Sequence, residues 1–265
     1  MNLALITVKQ VAILFCLIFT GYVCVRMKVI KQEAKQAFSD LLIYLVVPAM
    51  VIHSYMIEFD PAILPNLAQS FGLSTGLIGI GLVFVMAVTW KKQDANLPIM
   101  RFACIFSNAA YMGFPLIQAM YGSEGVLYAS VYVTVFNILL WTVGIVYVSE
   151  SMSFKELLKK IVTCPPIISV AVGLVIFLAR IPVADVLKDT FNVVGGMNTP
   201  LSMIITGITI SQFPLLSILK DKRVYFTVIL RMFIIPVIST LVMYLIHARG
   251  MVAVITIILE ACPCA

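Results

Sequence analysis

Charge is what this sequence lacks most. Asp, Glu, Lys and Arg make up 11% of its 265 residues, against 62% hydrophobic ones, whereas a soluble domain carries roughly 25% charge. A water-facing surface cannot be built from that supply. The mean hydropathy of +1.09 requires a bilayer to solvate most of the outside. The net charge of +6 therefore does not point to nucleic acid. Catalytic sets are missing too. The two histidines, His53 and His247, form no metal-spaced pair, and there is no nucleophile–His–acid set and no phosphate loop. The sequence reads as a non-enzyme without a cofactor. Long loops are also absent, so no extramembrane domain is expected. The N-terminus "MNLALITVKQVAILFCLIF" lacks a basic n-region and a small-residue cleavage site, and reads as a first spanning helix rather than a cleaved signal.

The six cysteines, Cys16, Cys24, Cys104, Cys164, Cys262 and Cys264, lie in or beside apolar stretches. They read as free thiols packing as small hydrophobes, not as a disulfide framework. Cys262-Pro263-Cys264 has the pattern of copper pumps. A copper pump also needs a soluble ATPase domain, and no loop here could house one. The two thiols therefore read as packing at a broken helix, and no metal is assigned.

What the chain does have is apolar runs. Nine of them lie at 3–25, 38–56, 66–90, 97–120, 125–148, 163–179, 194–212, 224–246 and 251–265, here segments 1 to 9. Segment 9 holds fifteen residues where about 20 are needed to cross the hydrocarbon core, so a C-terminally truncated sequence is expected. Basic residues cluster after the odd-numbered segments 1, 3, 5 and 7: Arg26, Lys28, Lys31 and Lys35; Lys91, Lys92 and Arg101; Lys155, Lys159 and Lys160; Lys220, Lys222 and Arg223. Only Arg180, Lys188 and Arg249 lie on the other side. The positive-inside rule then puts the N-terminus outside and the thirteen in the cytoplasm, in a multi-pass protein of the plasma membrane. The longest loop, 149–166, carries Phe154, Leu157, Leu158 and Ile161 at helical spacing among lysines. It predicts an amphipathic helix on the inner interface and a boundary between two halves, 1–150 and 151–265.

Prolines mark an internal repeat. Pro48 and Pro115 are 67 residues apart, and Pro200 and Pro263 are 63 apart, in segments 2, 4, 7 and 9. A five-segment unit repeated once must be inverted, which is the pattern of secondary transporters with midplane sites at broken helices. A proline removes a backbone donor and frees a carbonyl, tolerated only inside protein or around a wet cavity. Half-helix N-termini there would favour an anion. Polar residues gather at the same places: Asn108, Tyr111, Gly113 and Gln118 around Pro115, and Asn198, Thr199, Ser202 and Thr206 around Pro200. Serines and threonines in membrane helices commonly bond to their own backbone instead. Glu260 is the acidic residue deep in an apolar segment, and intramembrane carboxylates are functional by default. Proton coupling is one reading for it, and a position nearer an interface is the other. Arg231 either snorkels to the interface or neutralises an anionic substrate or Glu260.

The stretch "FSNAAYMGFPLIQAMYG" (106–122) resembles the fourth helix of the auxin efflux carrier family, which includes plant auxin exporters and bacterial malonate or malate carriers. "GYVCVRMKVI", "LIYLVVPAMVIHS", "CPPIISVAVGLVI", "NTPLSMIITGITI" and "LRMFIIPVIS" are similar to its helices 1, 2, 6, 7 and 8, in that order. The resemblance implies an all-α polytopic fold of two inverted five-helix repeats. Broken helices 4 and 9 would cross, and here the second is cut off. It implies that Asn108 binds a substrate carboxylate, that Pro115 and Pro263 mark the breaks, and that segments 1, 2, 6 and 7 form a scaffold against which the rest moves. A fixed scaffold often serves as a dimer surface, which leaves a homodimer open. The expected function is secondary transport of a small organic anion, with proton or sodium as the coupling ion. A sodium-coupled bile-acid-type symporter shares the architecture but should show several sodium ligands, and only Glu260 stands out. A truncated, non-transporting binding protein is the reading outside transport.

Overall fold

The computed structural model describes residues 3–144, 153–214 and 220–264. They form helices α1 (Leu3–Arg26), α2 (Ala34–Tyr55), α3 (Ile63–Thr89), α4 (Leu97–Ile105), α5 (Ala109–Gly144), α6 (Phe154–Val162), α7 (Pro165–Leu178), α8 (Asp185–Ser211), α9 (Lys222–Leu245) and α10 (Met251–Ala261), with no strand among the described residues. Six of these, with α1 counted from Val8, are long and apolar enough to cross a membrane, and α7 and α10 are shorter apolar helices. The chain is an all-α polytopic membrane protein. The boundary expected between residues 150 and 151 lies outside the described residues.

Prolines act in two ways. Pro48, which as one of the four repeat-marking prolines should coincide with a helix break, does not interrupt segment 2: α2 runs through it. A π turn at Leu42–Val46 comes first, with the Val47 N–H donating to the Leu42 carbonyl. Pro236 in α9 is preceded in the same way by a π turn at Leu230–Ile234, with the Ile235 N–H donating to the Leu230 carbonyl. The extra residue in the turn accommodates the missing donor and the ring clash of proline, so both helices continue. Pro200 sits in the first turn of the Asn198–Ser211 half of α8, where an absent N–H costs little. The true interruptions are elsewhere. α4 stops at Ile105 and the chain turns extended at Phe106, and α10 stops at Ala261 with Cys262 extended.

Two boundaries differ from the hydropathy pattern. Segment 7 was expected from residue 194, but α8 begins at Asp185 and is irregular only at Met197. Asp185, Lys188 and Asp189 dilute the hydropathy of this stretch without opposing a helix. Segments 4 and 5 meet without a loop inside α5. The corner is Gly122, at φ 62° and ψ −152°, a backbone state that side chains with a Cβ avoid. The loop helix is α6, with a reciprocal cap: the Ser153 hydroxyl accepts from the Glu156 N–H, and the Glu156 carboxylate accepts from the Ser153 N–H at 2.9 Å.

The chain folds into two compact units, each drawing on both sequence halves. The first comprises Met1–Phe59, Ala110–Leu127 and Ser169–Asp221, and the second Asp60–Ala109, Tyr128–Ile168 and Lys222–Ala265. In the first unit α1 packs on the second half of α8. Gly21 and Gly207 permit the approach, since a Cβ on either would meet the facing backbone of Ile204 or Ile18. In the second unit Leu77 of α3, Met243 of α9 and Ala253 of α10 form a buried cluster. The Ser70 hydroxyl of α3 donates to the Tyr128 carbonyl at 2.9 Å. Phe106, fully buried, stacks between Phe102 and Phe136 with ring centroids at 5.0 and 5.4 Å.

Candidate functional site

The C-terminal ends of α4 and α10 meet inside the second unit. The link after α4 and the tail after α10 run antiparallel, with Ser107 bridged to Cys264. The Asn108 N–H donates to the Pro263 carbonyl at 2.7 Å. This short β-like pairing satisfies backbone groups that lost their helical partners, a requirement inside a bilayer.

Each helix end also leaves carbonyls pointing beyond its last turn. One side chain collects them. Arg231 lies in the π turn of α9 and is 1% exposed. Its Nε donates to the Cys262 carbonyl at 3.1 Å, Nη2 to the Glu260 carbonyl at 2.7 Å, and Nη1 to the carbonyls of Ile105 at 3.1 Å and Cys104 at 3.2 Å. The guanidinium thus caps α4 and α10 together. Its rigid fork of five donors suits this work, which a lysine's single ammonium could not do. Cations are favoured at helix C-termini, which carry roughly half a negative charge each. Of the two positions expected for Arg231, the interfacial one is excluded by this burial.

Glu260 is 1% exposed as well. Its Oε2 lies 3.5 Å from Arg231 Nη1. Its Oε1 is 3.0 Å from the Tyr132 hydroxyl, which in turn is 3.3 Å from the Ser107 hydroxyl. Four elements therefore contribute to one buried polar chain, Ser107–Tyr132–Glu260–Arg231. Tyr132 was not legible as part of a site, because a tyrosine in an apolar run reads as packing.

The remaining candidates are distributed. Asn108, Arg231, Glu260 and Pro263 belong to the second unit, and Tyr111, Gly113, Pro115, Gln118, Pro48, Asn198, Thr199, Pro200 and Ser202 to the first. Asn108 is half-buried, Gly113 and Pro115 are buried, and Gln118 is exposed. The Tyr111 side chain hydrogen-bonds Ser39. The Ser202 hydroxyl donates to the Thr199 carbonyl at 3.2 Å, and that of Thr206 to the Ser202 carbonyl at 2.9 Å, so both are spent on their own helix. Asn198 differs. It is 1% exposed, and both carboxamide atoms lack a hydrogen-bond partner among the described residues. Among the described residues no group of three or more His, Cys, Asp or Glu could hold a metal ion.

Comparison with known proteins agrees with a transporter. Residues 6–155 and 149–265 match the family model described as "Membrane transport protein". An "Uncharacterized transporter" from Methanothermobacter thermautotrophicus is 21% identical over 260 residues, which cover 94% of this chain and 82% of that protein.

Proposed function

The chain belongs to the membrane transport protein family, the auxin efflux carrier group that its sequence resembles, and from that premise we propose that it carries a small organic anion by secondary transport. The anion is a dicarboxylate such as malonate or malate, or an auxin-like aromatic acid. Access alternates around the two helix interruptions, which the inverted halves 1–150 and 151–265 would each supply once. The observation that carries the reading is the join of Asn108 to Pro263. The ends of α4 and α10 are stitched together by backbone, which fits a carrier whose site lies where helices are interrupted.

Asn108 is the residue we assign to the substrate carboxylate. Its backbone N–H is committed to Pro263, so its carboxamide is the group left to meet a ligand. The start of α5 just beyond it adds the positive end of a helix. Tyr111, Gly113 and Gln118 follow on that helix. In the first unit, Asn198 holds hydrogen-bonding capacity that none of the described residues uses, and Thr199 and Ser202 flank it. Segments 1, 2 and 7 and most of segment 6 fall in the first unit, which also takes in Ala110–Leu127; this supports a role for that unit as the scaffold and, in a homodimer, as the pairing surface. The basic bias supports an N-terminus outside the plasma membrane.

Counterflow in proteoliposomes tests the function. Vesicles loaded with unlabelled malonate, malate or indole-3-acetate should accumulate the corresponding labelled anion above the level of protein-free vesicles. No counterflow with any small carboxylate would remove the carrier reading.

A further inference from the structure

Arg231 carries one positive charge and meets three negative partners. Two are helix ends, α4 and α10, worth roughly half a charge each. Together they balance the guanidinium. The third is the Glu260 carboxyl, which as a carboxylate would add a full charge that the guanidinium no longer offsets. The ionisable groups facing Glu260 are Arg231 from α9, Tyr132 from α5 and Cys262 from the tail of α10, and Arg231 is the one cation among them. Cys104 of α4 faces Arg231 from the other side. An uncompensated charge in so buried a place is not tolerated.

The distances say the same. The guanidinium's shortest bond, 2.7 Å, goes to the Glu260 backbone carbonyl, while its contact to the Glu260 carboxyl is 3.5 Å. A guanidinium facing an ionised carboxylate closes to about 2.7–2.9 Å. The shortest bonds of Arg231 thus go to backbone, and its contact with the carboxyl is the longest of the five.

We propose that Glu260 is a proton-binding site, neutral while the two helix ends are held together, and that its proton sets the direction of the Ser107–Tyr132–Glu260 hydrogen-bond chain. The proton comes from water and forms an O–H bond on the carboxyl, with no other bond broken in the protein. When Glu260 is ionised, Ser107 donates to Tyr132 and Tyr132 donates to Glu260. When it is protonated, Glu260 donates to Tyr132, and Tyr132 donates to Ser107. Oxygen separations of 3.0 and 3.3 Å serve both directions. The second direction releases the Ser107 hydroxyl proton to a new acceptor beside Asn108. Proton binding and anion binding are thereby linked with the same sign, as proton symport requires. This last link rests on the anion-carrier reading, but the proton site itself does not.

The test separates them. Thermal stability of the ligand-free protein is followed from about pH 5 to about pH 9 for wild type and Glu260→Gln. A group that holds its proton when folded and releases it when unfolded makes stability fall as pH rises, because the folded state then binds more protons. Wild type should lose melting temperature relative to Glu260→Gln across this range, and parallel curves would overturn the proton site. If Glu260→Gln does not fold, infrared spectroscopy of wild type decides. Glu260 is the one buried carboxyl among the described residues. A protonated-carboxyl band at neutral pH that shifts in Tyr132→Phe supports the site, and its absence removes it. Malonate binding then tests the link. Affinity should weaken as pH rises in wild type and lose that dependence in Tyr132→Phe. Equal pH-dependence in the two sinks the chain reversal. Failure of malonate to bind at all counts against the carrier reading with this anion and leaves the stability result standing for the proton site.

Discussion

Arg231 and Asn198 are both large polar side chains buried at the 1% level, and they stand in opposite states. Arg231 gives hydrogen bonds to four backbone carbonyls and contacts a carboxyl. The Asn198 carboxamide gives and receives none among the described residues. A buried polar group that is fully paired holds structure together. One left unpaired costs stability and is retained where something outside the protein completes it. The second unit thus spends its strongest polar residue on joining two helix ends, while the first keeps an amide in reserve.

The largest test of this contrast is Arg231→Gln. It leaves backbone carbonyls in a dry site short of donors, and each buried acceptor left unsatisfied costs about 1–3 kcal/mol. The variant should unfold at markedly lower temperature in detergent, and Arg231→Lys should recover only part of the loss because a single ammonium cannot span both helix ends. A variant as stable as wild type would show that the cap is dispensable. Asn198→Leu should move the other way. Deleting an unpaired buried amide relieves a penalty of about 1–3 kcal/mol, so its melting temperature should match or exceed that of wild type. A sharp fall would mean that Asn198 is already satisfied within the protein.

The all-α membrane class was legible because hydropathy is a local property, although segments 4 and 5 share one helix, and Glu260 stood out because one carboxylate in an apolar run needs a reason. The role of Arg231 was not legible, because its partners are carbonyls. Those of Cys104 and Ile105 are distant in sequence, and all four become acceptors only once α4 and α10 end side by side. Pro48 misled for a related reason. A proline announces that a hydrogen bond is missing but not whether a π turn absorbs the loss, as at Leu42–Val46, or the helix stops, as at Ala261. The helical stretch from Asp185 was hidden by three charged residues in an otherwise helix-compatible sequence. Tyr132 carried no signal of its own.

The smallest expected effect lies at α6, outside the spanning helices. The backbone and hydroxyl of Ser153 hold the Glu156 carboxylate below its ordinary range. A carboxylate with a lowered folded value stabilises its helix above the unfolded value of about 4.3 and loses that contribution as pH falls through the folded one. Amide exchange in Phe154–Val162 should quicken on acidification, and Ser153→Ala should show fast exchange already at neutral pH. Exchange elsewhere in the chain should not follow. An equal response in α10 would show that the loop helix is coupled to the helix join, against this expectation.

The most direct test of the carrier account is a calorimetric titration of malonate into purified wild type and Asn108→Ala at one pH. The account predicts saturable binding to wild type, at least tenfold weaker binding to the variant (about 1.4 kcal/mol), and an unchanged melting temperature. Equal affinity in both proteins would contradict it, because the residue at the join of the two broken helices would then play no part in holding the anion.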